Sequence, residues 1–330
     1  MKRFLAVFIA RNLEFFRDRA TFFWNLILPV FLIFGFAFAF SGNNTVSYKI
    51  GIIGTPDQKI EFMHYKYLQF VPYASLDDSM KKLTHNQIDM VLDFNTGSYY
   101  ISKESQNGYL AERVLLSDPA QKFVQQTVIG KTIRYIDWFV PGVLGMNILF
   151  GCLVGVGFVI VRYRHNGVLK RFKATPLHAI EFICAQMFSR FFIVAFMTVV
   201  IYAGTNFFLH FRMEGSYLDL GIVTALAILC LISLGLLFSS RFKSEEVAGG
   251  IMNFLIWPMM FLSGIWFSLE GTPQAMQAVS RIFPTTHFIE ACRKIMLDGA
   301  SLIDVMGNII PLVGMTAIFL GISAFIFKWE

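Results

Sequence analysis

RYRHNGVLKRFKATPLH, at residues 162–178, separates two apolar runs that are each long enough to cross a bilayer, and it holds Arg162, Arg164, Lys170, Arg171 and Lys173 with no carboxylate among them. Lys and Arg beside a membrane span are kept on the cytoplasmic side, most strongly in short loops. This stretch therefore orients the chain. Within it Val168, Leu169 and Phe172 recur at helical spacing, so a short helix over residues 167–175 would carry a small apolar face on a basic body, with Pro176 ending it. Such a helix has the form of a docking surface. The plainer reading of the same residues is a solvated loop whose charges only set topology.

Outward from this loop, composition places the whole chain in the membrane class. Hydrophobic residues make up 55% and charged residues 15%, and Phe occurs 37 times; a soluble domain carries about 25% charged residues. A hydrocarbon core of about 30 Å takes about 20 apolar residues in a helix. Six runs meet that length, at residues 21–40, 138–161, 188–208, 220–238, 247–267 and 309–327. Six crossings return the chain to its starting side. The cations agree: Lys2, Arg3, Arg11, Arg17 and Arg19 precede the first run, Arg241 and Lys243 lie between the fourth and fifth, and Lys328 follows the last, whereas the short loop at 209–219 holds only Arg212. Long translocated segments escape the charge rule, so the lysines within 41–137 do not count against it. Both termini are expected in the cytoplasm. The net charge of +6 is then a property of the inner face and its anionic lipid, and no nucleic acid is implied.

Residues 1–20 carry Leu5, Phe8, Ile9, Phe15 and Phe16 on one face and Arg3, Glu14, Arg17 and Asp18 opposite, the pattern of a helix lying in the membrane interface. Ala37-Phe38-Ala39 has the A-x-A form of a secretory cleavage site, but the apolar run before it exceeds the 7–15 residues of a signal. Residues 21–40 are expected to stay as the first span. Residues 41–137 differ in character. Tyr48 to Gly54, Gln69 to Tyr73 and Ile88 to Phe94 read as strands and 99–102 as a further one, Ser75 can cap a helix carrying Leu76, Met80 and Leu83, and 110–116 reads as another helix. A small extracytoplasmic α/β domain is expected there, followed by a membrane domain over 138–330.

Motifs of catalysis are missing. There is no G-x-x-x-x-G-K-[ST] phosphate loop, no H-E-x-x-H and no G-x-S-x-G. Hydrolysis of ATP is thus expected on a separate chain. Cys152, Cys184, Cys230 and Cys292 are isolated, and the six His are scattered, so neither a disulfide frame nor a metal site is indicated.

Residues 247–300 read VAGGIMNFLIWPMMFLSGIWFSLEGTPQAMQAVSRIFPTTHFIEACRKIMLDGA. With GVLKRFKATP at 167–176, this order of Pro258, Ser263-Gly264, Pro273, Phe283-Pro284 and Glu290-Ala291-Cys292-Arg293 resembles the membrane subunit of type-2 ATP-binding-cassette exporters, the ABC-2 permeases. The version it resembles is the bacterial one with a large extracytoplasmic domain after the first span. That family often opens its cytoplasmic loop with an acidic residue and a Gly-Thr pair, where this chain has His165 and Gly167-Val168.

The resemblance implies an all-α polytopic membrane protein of six transmembrane helices with the α/β domain inserted between the first and second spans. Residues 1–20 would be the connecting helix and 162–178 the coupling loop, with Leu169, Lys170, Arg171, Phe172 and Lys173 docking on an ATPase subunit. Residues 268–300 would be a re-entrant region in which Glu290 and Arg293, three apart, can pair on one helix face. Asn147, Phe150, Asn253, Trp257 and Met260, on the second and fifth spans, would line a substrate pathway between two permease chains, a homo- or heterodimer. The plainer reading of Asn147 and Asn253 is as interhelical hydrogen-bond partners, and of Arg190 as a side chain reaching for the headgroups.

Function would be export of an amphiphile, a drug, lipid or lipid-linked glycan, across a bacterial inner membrane. The chain would bind no cofactor, since ATP and Mg sit on the ATPase, and a periplasmic adaptor is a further candidate partner. A membrane-anchored receptor and an integral membrane enzyme are the competing classes. The first lacks a sizeable cytoplasmic part, and the second lacks ionisable residues clustered at one depth.

Overall fold

The computed structural model describes residues 2–39, 48–55, 61–65, 67–84, 88–102, 106–118, 123–128, 134–240, 244–269 and 272–326. The chain divides into two compact units, Met1–Ala39 with Ile136–Glu330, and Phe40–Tyr135. Arg241, Lys243, Lys328 and Ser41 lie outside the described residues.

The smaller unit is built on a five-stranded sheet, β1 (Tyr48–Ile53), β2 (Leu68–Tyr73), β3 (Met90–Asp93), β4 (Ser98–Ser102) and β5 (Val124–Val128), in the order β2-β1-β3-β4-β5. β1 runs parallel to β2 and β3, and β4 runs antiparallel to β3 and parallel to β5. Side chains alternate across a sheet, and both faces here are apolar. Ile50, Met90 and Leu92 pack with Ala111 and Leu115 of α4 (Gln106–Leu116), while Ile53 and Val91 pack with Leu83 of α3 (Leu76–Thr84). Ser75 opens α3, its hydroxyl accepting from the Asp77 amide at 3.2 Å. Two buried side chains are bonded across the unit. Asp89 accepts from the Lys49 amide at 2.8 Å, and the Tyr99 hydroxyl donates to Glu112 at 2.8 Å; burial and that carboxylate push the phenol up to about 12.

The larger unit is helical: α1 (Lys2–Arg17), α2 (Arg19–Ala39), α5 (Tyr135–His165), α6 (Val168–Lys173), α7 (Ala179–Leu209), α8 (Tyr217–Ser239), α9 (Glu245–Leu262), α10 (Gln274–Ser280), α11 (Pro284–Asp298) and α12 (Met306–Ile326). Four of these, α5, α7, α8 and α12, are long and apolar enough to cross a membrane. Two other expected spans fall on α2 and α9, whose apolar stretches Asn25–Phe34 and Glu246–Leu262 are shorter. A helix crossing the core hydrogen-bonds its own backbone throughout, and the hydroxyls on these helices follow suit. Thr198, Thr205, Ser233 and Thr316 each donate to the carbonyl four residues back.

α5 is the most buried of the four long apolar helices, and its glycines explain why. A Cβ on Gly142 would strike the backbone of Ile265, on Gly145 the side chain of Ile289, on Gly151 Val194, and on Gly157 the end of Met252. Each missing side chain lets a neighbouring segment approach closely. α1 is held along α7 by a ladder of rings, Phe4 on Phe188, Phe8 on Phe192 and Phe16 on Phe196, with centroids 6.0, 6.1 and 6.4 Å apart. The apolar face foreseen on residues 1–20 is therefore divided. Phe15 is buried against α7, while Leu5, Ile9, Leu13 and Phe16 form an exposed stripe.

Candidate functional site

The basic loop folds as expected up to α6, and the structure then sorts its side chains. Gly167 precedes the helix at φ 68°, a backbone that favours glycine. Leu169 is fully buried in its own chain, which seats the helix and removes Leu169 from any docking surface. Phe172 is half-buried, its ring 5.5 Å from Phe182 and 6.5 Å from Tyr163. Lys170, Arg171 and Lys173 are exposed. The result is a short helix anchored by one apolar residue, showing three cations and the rim of one aromatic ring.

The loop is tied back to α1. Tyr163 donates to the Glu14 carboxylate at 2.5 Å, and Arg11 reaches Glu14 at 2.6 Å and the Tyr163 hydroxyl at 3.1 Å. Phe172, Tyr163 and α1 thus stand in one contact chain. Arg164 does not face solvent with the other loop cations: its guanidinium donates to the carbonyls of Ser239 and Ser240 at 2.8 and 3.0 Å, joining the end of α5 to the end of α8. Nothing in the sequence distinguished it from Arg162.

Arg190 also departs from expectation. Instead of reaching for headgroups it is buried, donates from Nε to the Gly151 carbonyl and lies 5.6 Å from the centre of the Phe15 ring. A Cβ on Gly155 would collide with its guanidinium. Gly155 leaves the space that holds the charge, and Gly151, one turn earlier, supplies the carbonyl that accepts from it.

In the 268–300 region, α10 and α11 form two short helices broken at residues 281–283. Arg293 donates to the Trp138 carbonyl at 3.1 Å and to the Gly264 carbonyl at 2.7 Å, and stacks 3.6 Å from the centre of the Trp138 ring. Glu290 accepts instead from Asn308 at 2.9 Å, and Lys294 donates to the same amide at 3.3 Å. Both residues foreseen as a pair are thus engaged across helices, fastening α11 to α5, α9 and α12. Ser263 and Thr285 share a further hydroxyl contact between α9 and α11.

The pathway residues are dispersed. Asn147 is buried on α5 and Phe150 is exposed. On α9 the stripe of Asn253, Trp257 and Met260 is exposed at its first two members, where Trp257 stacks on Phe261 at 5.9 Å. Met260, nearer the end where α10 and α11 pack, is buried.

The ABC-2 family transporter protein model matches residues 19–325 of this arrangement. The chain belongs to the ABC-2 transporter family. It is 22% identical over 220 residues to the probable multidrug ABC transporter permease YbhS of Escherichia coli (strain K12), covering 62% of this chain and 56% of that one. It is 26% identical over 196 residues to the daunorubicin resistance ABC transporter permease protein DrrB1 of Streptomyces coeruleorubidus, covering 57% and 67%. The inner membrane transport permease YhhJ of Escherichia coli (strain K12) is 25% identical over 199 residues, covering 58% and 52%. The chain spans about half the length of the Escherichia coli relatives it matches. ABC-2 membership accounts for a mostly helical chain with several helices able to cross a membrane.

Proposed function

We propose that this ABC-2 chain is the membrane permease subunit of an exporter driven by a separate ATPase. It crosses a bacterial inner membrane six times, through α2, α5, α7, α8, α9 and α12, with both termini and α6 in the cytoplasm and the α/β unit outside. The observation that carries the coupling role is α6 itself, a helix seated by Leu169 that leaves Lys170, Arg171 and Lys173 exposed and Phe172 half-covered. Two permease chains face each other through the exposed side of α9 at Asn253 and Trp257, with Phe150 of α5 nearby in the pathway, and Asn147 and Met260 behind them. Glu290 and Arg293 hold the re-entrant helices. The relatives named for multidrug and daunorubicin resistance favour an amphiphilic drug as cargo over a lipid or a lipid-linked glycan.

Reconstitution tests the reading. Vesicles holding this chain together with a cognate ABC ATPase should accumulate daunorubicin when ATP is supplied on the ATPase side, and neither chain alone should do so. Accumulation by the permease alone, or failure of the two chains to copurify, would refute the assignment.

Orientation is checked separately. With native cysteines replaced, Gln125→Cys, exposed on β5, should react with an impermeant thiol reagent in spheroplasts, and Asn166→Cys, exposed beside α6, should react only after lysis. The reverse pattern would invert the topology and remove α6 from the ATPase side.

A further inference from the structure

The sheet of the α/β unit ends in two edge strands, β2 and β5, and among the described residues no strand lies beyond either. The two edges are built differently. Along a strand, successive residues turn their backbone N–H and C=O to opposite sides. Tyr48 of β1 donates its amide to the Tyr67 carbonyl at 3.0 Å, so the backbone of Leu68, Phe70 and Pro72 in β2 points away from the sheet. Pro72 is exposed and has no N–H to offer there. A proline in the outward register is a device that protects a sheet edge from pairing. β5 has no such device. Its VQQTV holds no proline, no glycine and no charge. Val124 donates its amide to the Gly97 carbonyl at 2.9 Å, so the backbone of Val124, Gln126 and Val128 serves β4, and that of Gln125 and Thr127 points outward. The Val124 side chain is 65% exposed.

A second copy of the same strand satisfies these groups. Two-fold symmetry is the commonest in homo-oligomers, and it demands a surface complementary to itself. With β5 laid antiparallel to its equivalent on a two-fold axis through Gln126, Gln125 faces the partner's Thr127, and facing residues of this kind exchange both N–H···O=C bonds. Every outward backbone group of β5 is then paired. The same register sets Val124 opposite the partner's Val128, a cross-strand β-branched pair that covers the exposed valine, and it opposes no like charges. We infer that the α/β units of two copies of this chain join edge to edge through β5 into one continuous sheet. The pairing rests on the proposed assembly of two permease chains with both α/β units outside, and it makes those two chains identical. A two-stranded contact is marginal alone, so the membrane units must hold the edges at high effective concentration.

The register supplies the test. Gln126 meets its own equivalent at a non-hydrogen-bonded position, where facing Cα atoms are ~4.5 Å apart, within disulfide reach. Gln125 meets its equivalent only on the diagonal, roughly 9 Å away by strand spacing and rise, which a disulfide does not bridge. The full chain, with native cysteines replaced, is oxidised in its membrane with copper phenanthroline and run on a non-reducing gel. Gln126→Cys should become a dimer, and Gln125→Cys should stay a monomer. Thr127→Pro removes an outward N–H and spares the bonds to β4, so adding it to Gln126→Cys should abolish the dimer. No dimer at Gln126, an equal dimer at Gln125, or a dimer that survives Thr127→Pro would overturn the pairing. Asn253→Cys, on the exposed side of α9, reports on the permease pair separately when treated with a bismaleimide. A link there with none at Gln126 would overturn the edge pairing and leave the permease pair standing. A link at Gln126 with none at Asn253 would keep the edge pairing and remove the α9 interface.

Discussion

Phe172→Ala is expected to release the ATPase and abolish transport while the membrane bundle stays folded and inserted. A half-exposed aromatic ring ringed by cations is the kind of anchor that dominates an interface, and its loss at a hot spot costs about 2 kcal/mol or more, some thirtyfold in affinity. In the proposed docking Lys170 and Arg171 would steer and orient the encounter, so their replacement is expected to act more weakly and with a dependence on salt. Phe172 also touches Phe182 and Tyr163, and this internal role must be separated from docking. Leu169→Ala provides the separation. Leu169 is fully buried, and its truncation costs about 2–5 kcal/mol of packing, which should loosen α6 and open the loop to trypsin. Phe172→Ala should leave tryptic cleavage near the wild-type rate and still lose the ATPase on affinity purification. A Phe172→Ala chain that kept bound ATPase and full export would return the loop to a topogenic role. Cleavage as fast as in Leu169→Ala would assign Phe172 to internal packing.

The short helix α6 was legible because its information is local. Val168, Leu169 and Phe172 at helical spacing, Gly167 before them and Pro176 after them, define a short helix without reference to anything else. Which apolar side chain stays available is not local. It depends on Phe182, ten residues further on, and on Tyr163 at the end of α5. The stripe of Asn253, Trp257 and Met260 behaves the same way, since helical period places the three on one side of α9 but cannot show that the bundle closes over Met260. Glu290 and Arg293 fit the local rule for a pair three residues apart, yet the structure engages them with Asn308 and with the carbonyls of Trp138 and Gly264. One of these carbonyls, Gly264, lies just past the end of α9 and the other, Trp138, within α5, and no side-chain pattern announces such backbone acceptors. In the α/β unit, β1 and β3 were readable from their β-branched and aliphatic runs. β5, VQQTV, was not, because Gln125 and Gln126 on an exposed sheet edge carry no apolar alternation.

Gly142→Ala is expected to destabilise the membrane unit sharply, although it replaces one small residue by another. A Cβ there would lie 2.6 Å from the Ile265 carbonyl oxygen and 3.1 Å from the Ile265 Cα, so the obstacle is backbone and not the end of a flexible side chain. That backbone has little freedom to withdraw. The preceding Gly264 stands at φ 75°, its carbonyl is held by Arg293 at 2.7 Å, and Ser263 is fastened to Thr285. Forcing a methyl into a packed site typically costs 1–3 kcal/mol. Here relief would have to separate α5 from the end of α9 or break the Arg293 contacts, so the upper part of that range applies. Gly204→Ala is the control. Gly204 lies on α7 with nothing within 4 Å of its would-be Cβ, and Ala is the better helix residue by about 1 kcal/mol, so this variant should be unchanged or slightly more stable. The temperature at which half of the detergent-solubilised chain leaves the monodisperse peak on size-exclusion chromatography compares the two. Gly142→Ala should fall several degrees below wild type with reduced membrane yield, and Gly204→Ala should not. If both variants matched wild type, α5 would not be clamped against Ile265, and the close approach at Gly142 that positions α5 against the segment following α9 would have to be abandoned.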